Sequence, residues 1–265
     1  MVTRLIKYLI MSLAVQAAAH DIALSQEFRI ETEIYQGAES DPVSESLTLF
    51  AGGLIYDFLL VDSDETKAEQ VAIFDTHQRK FILLDAARKI KATVPEHQLI
   101  RFLNALKSDG MVRNEFLVNP EFQENYDTAS GSLVLSSDQM TYETAGKKPT
   151  DGTVLPIYYE FIDQFARLNA TDPRRMPPFA RLKLNTAIKK YGFIPDEVKL
   201  SLAISEGDSK HRVELKSKHH VIWELSSQDR ETIELAKEYW ITFRDVTLQD
   251  FRGLSKSAAD ASKDE

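Results

Sequence analysis

Six histidines are the first residues to question for chemistry: His20, His77, His97, His211, His219 and His220. Asp75 and His77 stand two apart in VAIFDTHQRKFILLD (Val71 to Asp85), the spacing of a possible acid–base pair. His211 and the adjacent His219 and His220 offer imidazoles to a metal. Neither set grows into a constellation. Asp75-Thr76-His77-Gln78 separates two apolar runs of strand period, and Asp suits a reversal because its carboxylate caps nearby backbone N–H groups. A hairpin tip is therefore expected there. Neighbouring strand residues point to opposite faces, so His219 and His220 do not readily share an ion. Zinc near His211 lacks a third ligand at a usable spacing. Asp62-x-Asp64 suggests calcium, but the sixth and twelfth positions counted from Asp62 are Lys67 and Ile73, where an EF-hand needs Gly and Glu. An exposed loop is expected from Asp62 to Glu69.

Other catalytic signatures are missing from the chain: a Gly-x-Ser-x-Gly elbow, Ser-x-x-Lys, His-Glu-x-x-His and a Gly-rich phosphate loop. The expectation is a protein without catalytic residues, metal or cofactor, and so not an enzyme. A hydrolase using Asp75/His77 or the His211/His219 region is the remaining enzymatic reading. The net charge of -9 disfavours both a nucleic-acid backbone and an anionic lipid surface as partner. There is no cysteine, which excludes disulfides, thiolate metal sites and thiol catalysis.

The residues that would position any site begin after a segment of another kind. Arg4 and Lys7 precede a short apolar run, Tyr8 to Ala19, that ends in small residues. This is the pattern of a secretory signal cut after Ala19, with a second plausible cut after Ser25. The run falls short of the about 20 apolar residues a membrane span needs, so no integral span is expected once it is removed. A periplasmic or secreted bacterial protein follows, with one domain over residues 26–254 and a disordered polar tail over 255–265.

Phe28 to Tyr35 alternates apolar and charged, with Phe28, Ile30 and Ile34 on one face. Further strands are expected over Ser44–Phe50, Leu54–Val61, Val71–Phe74, Lys80–Leu84 and Lys89–Val94, in an antiparallel meander with short turns. Gly52-Gly53 marks one of those turns. Helices are expected from Pro95 to Gly110, from Leu155 to Leu168, from Phe179 to Tyr191, and from near Ser227. Weaker strands are expected at Glu115–Val118, Ser132–Leu135, Met140–Thr144, Val198–Ile204, Arg212–Leu215 and Val221–Leu225, with Glu206-Gly207-Asp208 as a turn and Asn119–Ser130 as a loop. The fold class is α+β, a large curved antiparallel sheet with helices packed on one face.

Leu54–Val61 and Phe81–Leu84 are apolar at both parities, unlike a sheet with one wet face. Something covers the second face: the protein's own elements, or a guest. If one face lines an apolar cavity, the expected lining is Leu49, Ile55, Phe58, Phe81 and Leu83.

The stretches SLTLFAGGLIYDFLL and VAIFDTHQRKFILLDAARK resemble the periplasmic lipoprotein carriers typified by the LolA-like and LppX-like folds, over residues 28–94. Gly52, Gly53, Tyr56, Asp75 and Lys80 carry the resemblance, through a strand ending at a Gly turn and an Asp-led hairpin. The chain departs from that group in lacking a helix before Phe28 and in its two-helix segment from Leu155 to Tyr191. PPFARLKLN (Pro177 to Asn185) is similar to uncharacterised exported bacterial proteins. The resemblance implies a curved sheet whose concave side is plugged by helices and holds acyl chains, with an apolar small molecule or a lipoprotein as partner and no catalysis. An envelope scaffold protein with a self-filled core is the alternative.

Overall fold

A computed structural model describes residues 27–61, 64–108, 115–206 and 209–254. The expected signal peptide, Asp62, Gly110, the Gly207-Asp208 turn and the 255–265 tail lie outside the described residues.

The chain runs β1 (Phe28–Gln36), β2 (Ser44–Ala51), β3 (Leu54–Val61), β4 (Asp64–Asp75), β5 (Lys80–Asp85) and β6 (Ile90–Pro95), then α1 (Glu96–Ser108) and α2 (Glu115–Val118). It continues with β7 (Gln123–Asp127), β8 (Ser132–Ser136), β9 (Met140–Lys147), α3 (Leu155–Asn169), α4 (Phe179–Tyr191), β10 (Ile194–Glu206) and β11 (Ser209–Ile222). It closes with α5 (Ser227–Thr242), β12 (Arg244–Asp245) and α6 (Leu248–Phe251). The strands form one sheet in the order β12-β6-β5-β4-β3-β2-β1-β11-β10-β9-β8-β7. Every pairing is antiparallel except β12 with β6. The six-strand meander from β1 to β6 is present as the sequence predicts. Among the described residues no helix is long and apolar enough to cross a membrane.

Three hairpins of the sheet share one local device. Asp75, Asp85 and Asp127 each end a strand, and four residues later Arg79, Lys89 and Gly131 adopt φ of 49°, 51° and 71°. In each, the Asp Oδ1 accepts from a backbone N–H inside the loop: from His77 and Gln78 at 3.0 and 2.8 Å, from Arg88 at 2.8 Å, and from Ala129 at 2.9 Å. The carboxylate supplies the bond that a tight reversal leaves unmade. Asp75 is thus committed to its turn, and His77 is exposed beside it.

Helices cover both faces, which corrects the expectation of helices on one face. The row Phe28, Phe50, Ile55, Phe74, Phe81 and Val94 runs straight across β1, β2, β3, β4, β5 and β6. It packs in one core with α1, α3, α4 and α6 through Leu99, Phe161, Leu184 and Phe251. The opposite parity, with Leu47, Leu49, Tyr56, Phe58, Ile73 and Ile82, packs on Ile233 and Ala236 of α5. Both parities of β2, β3, β4 and β5 carry apolar residues because both faces of these strands are buried.

Other expectations are corrected. Glu115–Val118 is one helical turn, because an apolar run as short as Phe116-Leu117-Val118 does not by itself separate helix from strand. The polar segment expected as a loop holds β7, an edge strand of exposed polar residues such as natural edges use. Residues 64–69 belong to β4 and not to a loop. Arg212–Leu215 and Val221–Ile222 are parts of one strand, β11, and Trp223 to Leu225 lie beyond it.

The second face is anchored at one buried ion pair. Arg29 of β1 donates Nη1 to Asp229 Oδ1 at 2.8 Å, and both residues are buried, at 8% and 1% exposure. Arg29 also pairs with Glu31. Asp229 Oδ2 accepts from Ser226 N and Oγ while Ser226 Oγ accepts from Asp229 N, a capping box that starts α5. Removing one partner of a buried pair costs about 3–5 kcal/mol, and Glu31 still neutralises Arg29 when Asp229 is lost, so the lower end of that range applies. Asp229→Ala is therefore expected to lower the unfolding free energy, measured by urea denaturation, by about 3 kcal/mol. Ser226→Ala, which loses a cap alone, is expected to cost about 1 kcal/mol.

Candidate functional site

On the face covered by α3, the apolar pattern fails in one place. Next to the aromatic row, the inward residues of four adjacent strands turn polar: Thr32 of β1, Ser46 and Thr48 of β2, Asp57 of β3, and Ser217 and His219 of β11. The register sets them side by side. Thr32 lies between His219 and Ser46, and Thr48 lies beside Asp57. Over this floor stands one face of α3: Tyr158, Phe161, Ile162, Phe165, Ala166 and Asn169, with the spacing that puts residues on one side of a helix. Floor and roof enclose a cavity of about 270 Å³. A neighbouring cavity of about 140 Å³ shares Ile34, Ser46, Asp57, Phe165, Asn169 and Arg175 with it and extends to Leu83 and Arg252.

The floor is internally hydrogen-bonded. Thr48 Oγ1 donates to Asp57 Oδ1 at 2.7 Å. The His219 ring lies between two hydroxyls, with Nδ1 3.0 Å from Thr32 Oγ1 and Nε2 3.0 Å from Ser217 Oγ. Burial pushes the Asp57 carboxyl up to about 6, against the bond from Thr48, which lowers it. Burial, with a smaller contribution from the Arg181 guanidinium, pulls His219 down to about 4. The arrangement offers a polar floor and an apolar roof, which suits a molecule with both kinds of surface.

The residues expected from the sequence distribute unevenly. Leu83 lines the smaller cavity. Ile55 and Phe81 belong to the same core but are fully buried in the aromatic row. Leu49 and Phe58 lie on the other face, under α5, so the five do not form one lining. The reason is parity: Leu49 and Phe58 are an odd number of positions from Phe50 and Ile55, and successive strand residues alternate faces. His77 and His211 are exposed and away from the cavity lining, and His220 is exposed on the face opposite His219. Among the described residues no three His, Asp or Glu gather as metal ligands.

Sequence reasoning passed over Thr32, Ser46, Thr48, Asp57 and Ser217, and weighed His219 only as a metal ligand or a hydrolase residue. Two signals mark them. Thr32 occupies the inward position between Ile30 and Ile34, and Asp57 is the single charged residue of LIYDFLLV.

Asp57 and His219 give stability opposite pH slopes. The Asp57 pKa rises on folding from its ordinary 3.8 to about 6, so its contribution is present at pH 4 and lost as pH rises through 6. The His219 pKa falls from 6.5 to about 4, so its contribution is present above pH 6.5 and lost as pH falls towards 4. Each is on the order of 2–3 kcal/mol, and together they largely cancel. Single substitutions are expected to unmask them. In chemical denaturation between pH 4 and 6.5, Asp57→Asn leaves a stability that rises with pH, and His219→Gln one that falls.

No family model matches the chain, and no curated protein matches it. Among solved structures the chain is similar to one of PNGF-II, at 7% identity and a TM-score of 0.34, over 86% of this chain and 33% of that one. The chain thus spans about a third of the length of that protein, and a likeness this slight carries no argument.

Proposed function

We propose that this chain is a non-enzymatic exported binding protein that holds a lipid-like molecule, or the lipid moiety of a lipoprotein, between α3 and the sheet. One observation carries the reading: a cavity roofed by Phe161, Ile162, Phe165 and Ala166 over a floor of Thr32, Thr48, Asp57 and His219. Burying polar groups costs free energy, and a well-packed apolar core would serve stability better. A polar floor inside an apolar core is the feature expected of a site that orients an amphiphile. The resemblance of residues 28–94 to LolA-like and LppX-like carriers agrees with this reading, as does the signal-like segment before Phe28.

The Ser217 Oγ to His219 Nε2 distance of 3.0 Å favours one other reading, a hydrolase with Ser217 as nucleophile. Two features count against it. His219, held near 4, is a weak base at neutral pH. Its other nitrogen meets the Thr32 hydroxyl, where a catalytic imidazole usually has a carboxylate.

Protein purified without detergent and examined by native mass spectrometry is expected to carry an extractable lipid adduct, or to take one up when offered. Ala166→Phe, which fills the cavity from the roof, is expected to abolish the adduct while costing about 1–3 kcal/mol of stability. A wild-type protein that stays at its apo mass with every lipid offered overturns the reading.

A further inference from the structure

The cavities carry more positive charge than their surroundings neutralise. Arg175, in the connection between α3 and α4, lines both cavities and is exposed. Arg181 of α4 lines the larger one, and Arg252, just after α6, lines the smaller. Arg174 stands next to Arg175. Among the described residues one carboxylate, that of Asp172, forms ion pairs with this group. Asp172 accepts from Arg174 Nε and Nη2 at 2.8 and 2.7 Å, and that bond, strongest among its influences, holds its carboxyl down at about 2. Arg252 Nη1 reaches Asp172 only at 4.0 Å, and its Nη2 donates to Thr171 Oγ1 at 3.3 Å. The buried Nε of Arg252 has no hydrogen-bond partner. Arg181 donates Nε to the side-chain oxygen of Asn185 at 3.0 Å. Among the described residues neither Arg175 nor Arg181 forms an ion pair.

This concentration occurs in a chain of net charge -9, so it is not the by-product of a basic composition. A half-buried guanidinium without a counter-charge, as at Arg181, is costly unless something else supplies it. Guanidinium groups match carboxylate and phosphate oxygens in geometry as well as in charge. The only acid in either lining is Asp57, against three arginines. The cavities, of about 270 and 140 Å³, each fall below the usual size of ligand sites, about 300 to 1,000 Å³. That suits one alkyl chain better than two.

We propose that the cavity takes a single-chain anionic amphiphile, with a carboxylate or phosphate head between Arg175, Arg181 and Arg252 and an alkyl chain along Phe161, Ile162 and Phe165. This rests on the cavity being a ligand site at all, and it adds the charge and chain number of the ligand. The thin alkyl chain fills the apolar side, and the head supplies the counter-charge that Arg175 and Arg181 lack.

The test is calorimetric titration of delipidated full-length protein with oleate, oleoyl lysophosphatidate, monoolein, acetate and inorganic phosphate, the amphiphiles kept below their micellar concentrations. Oleate and the lysophosphatidate are expected to bind at least tenfold more tightly than monoolein, and acetate and phosphate far more weakly than either. Arg175→Gln and Arg181→Gln are each expected to weaken oleate about tenfold and to leave monoolein unchanged. Arg175 is exposed, so its variant tests the head group without disturbing the core; thermal melts of both variants check the fold. Equal affinity for monoolein and oleate overturns the anionic head but leaves the binding protein standing. Phosphate binding as tightly as the lysophosphatidate, and competing with it, overturns the amphiphile in favour of a free-anion site. Binding of none of these removes the inference together with the reading beneath it.

Discussion

A sheet buried on both faces must hold its register without error. In this chain β2, β3, β4 and β5 each send alternate residues to different cores, one shared with α1, α3, α4 and α6, the other with α5. A slip of one residue would exchange the two sets, since side chains alternate with period two. In these strands hydrophobicity alone does not prevent that slip, because both parities carry buried apolar residues. The turns supply the missing specification. Asp75, Asp85 and Asp127 fix loops of equal length, and the left-handed residues Arg79, Lys89 and Gly131 close them. Gly52 and Gly53 do the same between β2 and β3, at φ of 58° and 80°, conformations in which a side chain would be strained. At the other end, Gly146 lets β9 approach β10 closely: a Cβ there would lie 2.1 Å from the Ile194 carbonyl oxygen.

The polar floor follows from the same geometry. Once the register is set, Thr32, Ser46, Thr48, Asp57, Ser217 and His219 have no choice but to face α3. Their mutual bonds reduce the cost of burial without abolishing it, as the displaced acidities of Asp57 and His219 show. Two groups that disfavour their charged forms sit in one small enclosure, close to cations that their own surroundings do not balance.

Long periodic segments were legible in the sequence. α3, α4 and α5 follow from their apolar spacing, and β1 to β6 from short runs divided by turn residues. Less legible were the places where function and edges interrupt the pattern. β11 read as two strands because Lys216, Ser217, Lys218, His219 and His220 break the apolar alternation, and two of those five are the cavity floor. β7 read as a loop because an edge strand needs few apolar residues, and its Tyr126 finds its packing far along the chain, in a stack on Tyr191 of α4, beside the bond from Lys190 to Glu124 of the same strand, 66 positions apart. Faces could not be assigned for Leu49 and Phe58 because a doubly buried sheet erases the difference that periodicity measures.

One feature bears on the order in which the molecule is completed. From α5 on one face, the chain passes along the β6 edge as β12, with Arg244 N on Lys89 O at 3.2 Å and Val246 N on Lys91 O at 2.8 Å, and then turns onto the other face as α6. There Arg88 Nη2 holds the Phe251 carbonyl at 2.5 Å, and Arg252 reaches the smaller cavity. The last described residues therefore strap the two cores together around the outside of the sheet. A chain emerging from the ribosome can pair β1 to β11 while one apolar face and one edge stay open. Closure of both waits for the stretch after Ser226, so the fold locks only once α5, β12 and α6 are in place.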